Sequence, residues 1–135
     1  MQSTEITMDR EDYVEDILDH YQHPRHKGVL DPADSKAEGG NPGCGDIVTM
    51  YMRVDADGRI SEVSFDGHGC TISQAGASML TEMAVGKTPQ EVEELDYEAF
   101  IDQMGREVVV SRARCATLGL GTLKAAADLY IKGKR

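Results

Sequence analysis

The stretch DIVTMYMRVDADGRISEVSFDG at residues 46–67 holds two alternating runs separated by a turn. DADG at 55–58 is a hairpin signal, because Asp and Gly accept the backbone angles a tight reversal needs. On the second run Ile60, Val63 and Phe65 alternate with polar residues, which predicts that one face of the strand is buried. Residues 46–55 and 59–67 therefore read as paired antiparallel strands. GHGC at 67–70 is a second glycine-rich turn, and TISQAGASMLTEMAVG at 71–86 reads as a helix. The small residues in the first half of that helix predict close packing.

Upstream, GGNPGCG at 39–45 is a Gly/Pro turn, and residues 35–40 read as a short edge strand. DREDYVEDILDHYQ at 9–22 places Tyr13, Val14, Ile17, Leu18 and Tyr21 at helical spacing, with Asp9 as cap and Asp12 three residues on. Pro24 stops this helix, and HPRHKGVLDP reads as an ordered loop. Downstream, Thr88 and Pro89 mark a helix start. PQEVEEL and YEAFIDQM read as two short helices, REVVVSRAR at 106–114 as a β-prone connector, and residues 116–131 as a final helix. No repeat or second hydrophobic unit is visible, so 1–135 is expected to be one domain, with 1–8 a flexible tail.

The chain has 135 residues and a formal net charge of −10. That balance argues against nucleic acid as a partner, since phosphate binding needs a basic stripe. A hydrophobic fraction of 40% is too high for a disordered chain. No apolar run approaches the ~20 residues that span a bilayer, and the polar, acidic start does not read as a signal peptide. The expectation is a cytoplasmic protein without membrane association.

Three cysteines make a poor disulfide framework, and in a reducing compartment thiols more often bind metal or react. Cys44 lies in a glycine turn before a strand, Cys70 between a glycine turn and a helix start, and Cys115 just ahead of the last helix. Core cysteines usually fall mid-element, so this placement favours chemistry over packing. A helix N-terminus favours the thiolate, the form that binds metal or attacks sulfur. Arg112 and Arg114 add positive charge beside Cys115, and Gly43, Gly45, Gly67 and Gly69 are expected to let backbone approach a bulky ligand. Asp46 is two residues past Cys44, and side chains at i and i+2 of an extended segment share a face. Three thiolates and a carboxylate suit zinc or iron–sulfur chemistry. The spacings, 26 and 45 residues, match no zinc ribbon or finger, so the fold must bring three turns together.

The four histidines lack metal-motif spacing: His68 reads as a solvated turn residue, and His20, His23 and His26 as structural or surface residues. Met79 and Met83 read as core filler, and EVEELDYE at 91–98 as a solvated acidic face.

YVEDILDHYQHPRHKGVL, NPGCGD, GHGCTISQAGASMLTEMAVGK and RARCATL together resemble the iron–sulfur cluster scaffold family, the IscU/SufU/NifU N-terminal group, over about residues 12–131. The resemblance implies an α+β fold class: a small three-stranded, mostly antiparallel sheet covered by helices, with three cysteines clustered at one exposed end. It implies a site of Cys44, Asp46, Cys70 and Cys115 holding zinc, iron or a transient [2Fe–2S] cluster. It also implies a cysteine desulfurase as sulfur source, and apo iron–sulfur proteins or cluster carriers as recipients. Cys115 and Cys44 are the implied persulfide acceptors, with Arg112 in support. IscU proteins carry a histidine immediately before the third cysteine and an LPPVK segment; here stand Arg114 and VVVSRAR. Arg112 and CATL look like SufU, yet the insertion usual in SufU proteins is missing. Two functions are thus implied: a scaffold that assembles and transfers a cluster, or a zinc-dependent sulfur relay that activates a desulfurase.

Overall fold

The computed structural model describes residues 9–133 except Pro42 and Cys44. In chain order it contains α1 (Arg10–Gln22), β1 (Ser35–Asn41), β2 (Asp46–Val54), β3 (Ile60–His68), α2 (Thr71–Met83), α3 (Pro89–Glu93), α4 (Tyr97–Met104), α5 (Arg106–Val109), a 3-10 turn at Val110–Arg112, and α6 (Ala113–Gly133). The expected α+β architecture is present: one three-stranded sheet, order β1-β2-β3, antiparallel throughout. The expected tail at 1–8 lies outside the described residues.

The hairpin forms where the sequence places it. Asp55 Oδ1 accepts the backbone N–H groups of Asp57 and Arg59 at 2.9 and 3.0 Å, and Gly58 turns the chain at φ +82°. A register shift at Arg53/Val54 gives β3 one extra residue there. Beyond it Val63 and Phe65 join Val48, Met50 and Met52 on the buried face. α2 and α6 lie across that face, with α1 against α2 and α3 and α4 against α6. Phe65, Met50, Met52, Ile60, Leu80, Leu120 and Leu123 fill the space between sheet and helices.

Small side chains set how close the layers come. An added Cβ on Gly39 of β1 would lie 2.1 Å from Thr122 Oγ1 of α6. On α2, a Cβ on Gly76 would lie 2.9 Å from the Ala116 carbonyl oxygen, and one on Gly119 would lie 3.1 Å from Ala77 Cα. The small-residue half of α2 thus packs almost backbone to backbone on the start of α6.

The loop after α1 is ordered by polar contacts with α2. Ser78 Oγ accepts Arg25 N–H at 2.9 Å and lies 2.7 Å from His20 Nδ1; Thr81 Oγ1 donates to the Arg25 carbonyl at 3.2 Å and lies 3.0 Å from His26 Nδ1. Gly28 N–H then donates to the Phe65 carbonyl at 2.7 Å, closing part of the open β3 edge. His20 is thus a buried structural residue, 6% exposed.

The capping readings hold: Asp9 with Asp12 and Thr88 with Glu91 each form a reciprocal box. The connector at 106–114 does not. Its residues form α5, the 3-10 turn and the first two residues of α6. Gly105, at φ +107° against the ring of Tyr13, ends α4 and starts α5, and Val109 is driven into the core. Burial against α1 and the core overrides the β-propensity of three consecutive valines. α2 also ends earlier than expected. Ala84 caps it, and Gly86 N–H turns to the Ile60 carbonyl at 2.8 Å.

Candidate metal centre

Three element ends meet at one edge of the molecule: the start of β2, the start of α2 and the first turn of α6. Each carries one polar or thiol side chain, namely Asp46, Cys70 and Cys115. Their ligand atoms all lie within 4.8 Å of one another. Cys44, expected beside them, lies outside the described residues.

Cys70 is the N-cap of α2. Its sulfur accepts Ser73 N–H at 3.5 Å, and its own N–H donates to Asp46 Oδ1 at 2.7 Å. Asp46 Oδ2 lies 3.9 Å from Cys70 Sγ. Asp46 is only 1% exposed, so its carboxylate depends on these donors. Room for it comes from Gly69, at φ +157°: an added Cβ would lie 2.2 Å from Asp46 Oδ1. Gly67 is likewise in contact with the Ile47 carbonyl. These two glycines, expected to admit a ligand, instead admit the chain's own carboxylate and strand.

Burial pushes the Cys70 thiol up, and the Asp46 charge acts the same way. The Ser73 N–H and hydroxyl and a hydrogen bond with Cys115 outweigh both, and the thiol sits below its ordinary value. Cys115 stands inside α6 rather than ahead of it, because the helix begins at Ala113. It is 2% exposed but lines an open depression of about 670 Å³ with Asn41, Gly43, Val110, Arg112 and Arg114. Asn41 Nδ2 donates to Cys115 Sγ at 3.7 Å. Arg112 is raised above its ordinary value, first by its hydrogen bond with Cys115 and then by the charge of Cys70. Arg114 is exposed on the rim of the depression. His68 is exposed as expected and is not among the converging ligands, but it is the last residue of β3, paired with Ile47, rather than part of a turn.

The donor set fits a four-coordinate ion. Zn–S bonds of about 2.3 Å and Zn–O bonds of about 2.0 Å at tetrahedral angles put S and O roughly 3.5 Å apart. The 3.9 Å between Cys70 Sγ and Asp46 Oδ2, and the 4.8 Å within which all three ligand atoms lie, close to such spacings by inward movements of about 1 Å or less. Two sulfurs and one hard oxygen suit zinc or iron rather than calcium or magnesium. Sequence reading missed Ser73 and Asn41. Ser73 stands three residues after Cys70, the spacing of an N-cap and its N3 partner, which is a readable signal. Asn41 lies inside the NPGCGD block, but nothing local says that it reaches residue 115.

Among the described residues, no helix is long and apolar enough to cross a membrane. A model of the NifU-like N terminal domain matches residues 12–135. The chain is 35% identical over 120 residues to "Iron-sulfur cluster assembly scaffold protein IscU 1" of Archaeoglobus fulgidus, covering 89% of this chain and 77% of that one. It is 43% identical over 75 residues to "Zinc-dependent sulfurtransferase SufU" of Bacillus subtilis, covering 56% and 50%. Its fold is similar to the crystal structure of a nitrogen-fixing NifU-like protein (N-terminal) from Brucella abortus, with TM-score 0.73, 19% identity, and 91% and 99% of the two chains covered. With a domain match over nearly the whole chain and that fold, this protein belongs to the NifU-like N-terminal domain family.

Proposed function

We propose that this protein is an iron–sulfur cluster assembly scaffold. It accepts sulfur from a cysteine desulfurase, holds iron beside it, and releases a [2Fe–2S] cluster to apo-proteins or carriers. The observation that carries this reading is the convergence of Asp46, Cys70 and Cys115 from three separate element ends. Cys44, two residues before Asp46, is the fourth ligand in this proposal.

The sulfur step is thiol–disulfide exchange. The thiolate of Cys115 attacks the terminal sulfur of the donor's persulfide, the donor S–S bond breaks, and the donor leaves as a thiolate. The sulfane sulfur moves without net oxidation; its later entry into a cluster as sulfide takes two electrons per sulfur, which ferrous iron and an external reductant such as a dithiol supply together. Cys44 is the second candidate acceptor. The depression bounded by Arg112 and Arg114 gives a donor a route to the otherwise buried Cys115 sulfur, and Arg112 supports the anionic sulfur. Bound zinc or iron would keep the thiols deprotonated. Asp46 is the harder and more labile donor, which suits cargo that must leave.

The test is anaerobic loading with ferrous iron, cysteine, a desulfurase and a dithiol reductant, followed by metal and sulfide analysis and a visible spectrum. Charge-transfer bands with equal iron and sulfide support the scaffold. Retained zinc without such bands supports the second reading, a zinc-dependent sulfur relay. The likeness to the Bacillus subtilis sulfurtransferase favours that second reading, although it spans only 56% of this chain. The scaffold relative is matched over 89%.

A further inference from the structure

Asn41 is the last residue of β1, and it faces Asp46 across the final rung of the β1–β2 ladder. Its backbone carbonyl accepts Gly45 N–H at 3.0 Å, which ties the end of β1 to the residue before β2. Its side chain leaves in another direction and donates from Nδ2 to Cys115 Sγ at 3.7 Å, across 74 residues of chain. One residue therefore joins the strand of one candidate ligand, Asp46, to the sulfur of another, Cys115.

The chemistry of the donor matters. A carboxamide does not titrate, so its N–H is available at any pH. A hydrogen bond to a ligating sulfur draws electron density from it and adjusts the electronic properties of whatever it binds. Arg112 also faces Cys115, but from an exposed side chain. Asn41 is half-buried and its backbone is held by strand pairing, so its carboxamide reaches Cys115 from a fixed point at the end of β1.

We propose that Asn41 is a positioning residue of the centre, whose carboxamide donates to the Cys115 sulfur, fixes its direction and weakens its donation to a bound metal. The inference rests on the metal-holding role proposed above.

The test uses cobalt(II) as the probe metal on the full chain. In Asn41→Leu the sulfur-to-cobalt absorption moves to longer wavelength, because a sulfur without the hydrogen bond is more electron-rich. In a Cys115→Ser background the same substitution leaves the band in place. A band unmoved by Asn41→Leu overturns the proposal, including where the variant is merely less stable. If Asn41→Leu does not fold, Asn41→Asp keeps the shape without the donor and carries the same expectation. A second readout needs no metal. In nitrogen-15-labelled protein the Asn41 side-chain amide resonances shift on Cys115→Ala, and their persistence at wild-type positions also overturns the proposal. Failure of the wild type to take up cobalt overturns the reading of the centre itself. Uptake with an unmoved band overturns the Asn41 assignment alone.

Discussion

Gly69→Ala should damage the centre without touching a ligand. An alanine Cβ would lie 2.2 Å from Asp46 Oδ1 and 2.8 Å from Ser73 Oγ. Reaching an ordinary contact of 3.4 Å requires the carboxylate to retreat by about 1.2 Å. The Cys70 N–H to Asp46 bond, now 2.7 Å, does not survive such a shift. Losing a hydrogen bond to a buried charged group costs about 1.5–3 kcal/mol, and placing a Cβ at positive φ adds about 1 kcal/mol. The expected destabilisation is therefore roughly 2.5–4 kcal/mol, or a Tm lower by about 8–12 °C for a domain of this size. Gly58→Ala is the control. Gly58 also has positive φ, +82°, but nothing lies within 4 Å of its added Cβ, so only the backbone strain remains. Urea unfolding followed by far-UV circular dichroism measures both variants, and metal titration reads the site. Equal losses at Gly58 and Gly69 with unchanged metal affinity would falsify the placement of the Asp46 carboxylate under Gly69.

Cys70→Ser should separate fold from function: serine is a better N-cap than cysteine, so Tm holds or rises while bound metal per chain falls. Asp46→Ala removes the hard, labile ligand, and the visible bands of a loaded cluster should decay more slowly than in wild type; equal decay in a folded variant contradicts the role of Asp46. Burial, and then the nearby Arg25, hold His20 below its ordinary value. The unfolded chain therefore binds that proton more readily than the folded one. Stability should fall as pH drops below about 6.5, the unfolded value, and stop falling from this cause once pH passes the lower folded value. Asp16, Asp19 and Glu82 face the same ring and oppose the shift. His20→Gln should flatten that part of a stability-against-pH curve measured by urea unfolding.

The hairpin was legible because its signals are local: alternation at Ile60, Val63 and Phe65, and the Asp55–Gly58 turn. So were the caps at Asp9 and Thr88, whose partners stand three residues away. The segment 106–114 was not. Val108, Val109 and Val110 favour extended backbone, and only contact with distant Tyr13 and the core makes the chain coil there. That same shift carried Cys115 from ahead of the last helix to inside it. The convergence of Asp46, Cys70 and Cys115 was reached through resemblance, since separations of 24 and 45 residues hold no geometric information on their own. The loop glycines show the same limit. Sequence reading found the tight place at Gly69 but could not say that its occupant was Asp46.

The backbone-to-backbone crossing of α2 and α6 has a mechanical consequence. Cys70 precedes one helix by a single residue, and Cys115 directly precedes Ala116, whose carbonyl oxygen would meet a Cβ on Gly76. The two helices behave like the arms of a pair of calipers, with Gly76 and Gly119 as the pivot. The gap between the sulfur-bearing tips is thus gauged by two residues that touch no sulfur. A methyl group inserted at the pivot opens the jaws, so the distance between the Cys70 and Cys115 sulfurs is set at those glycines as well as at the tips.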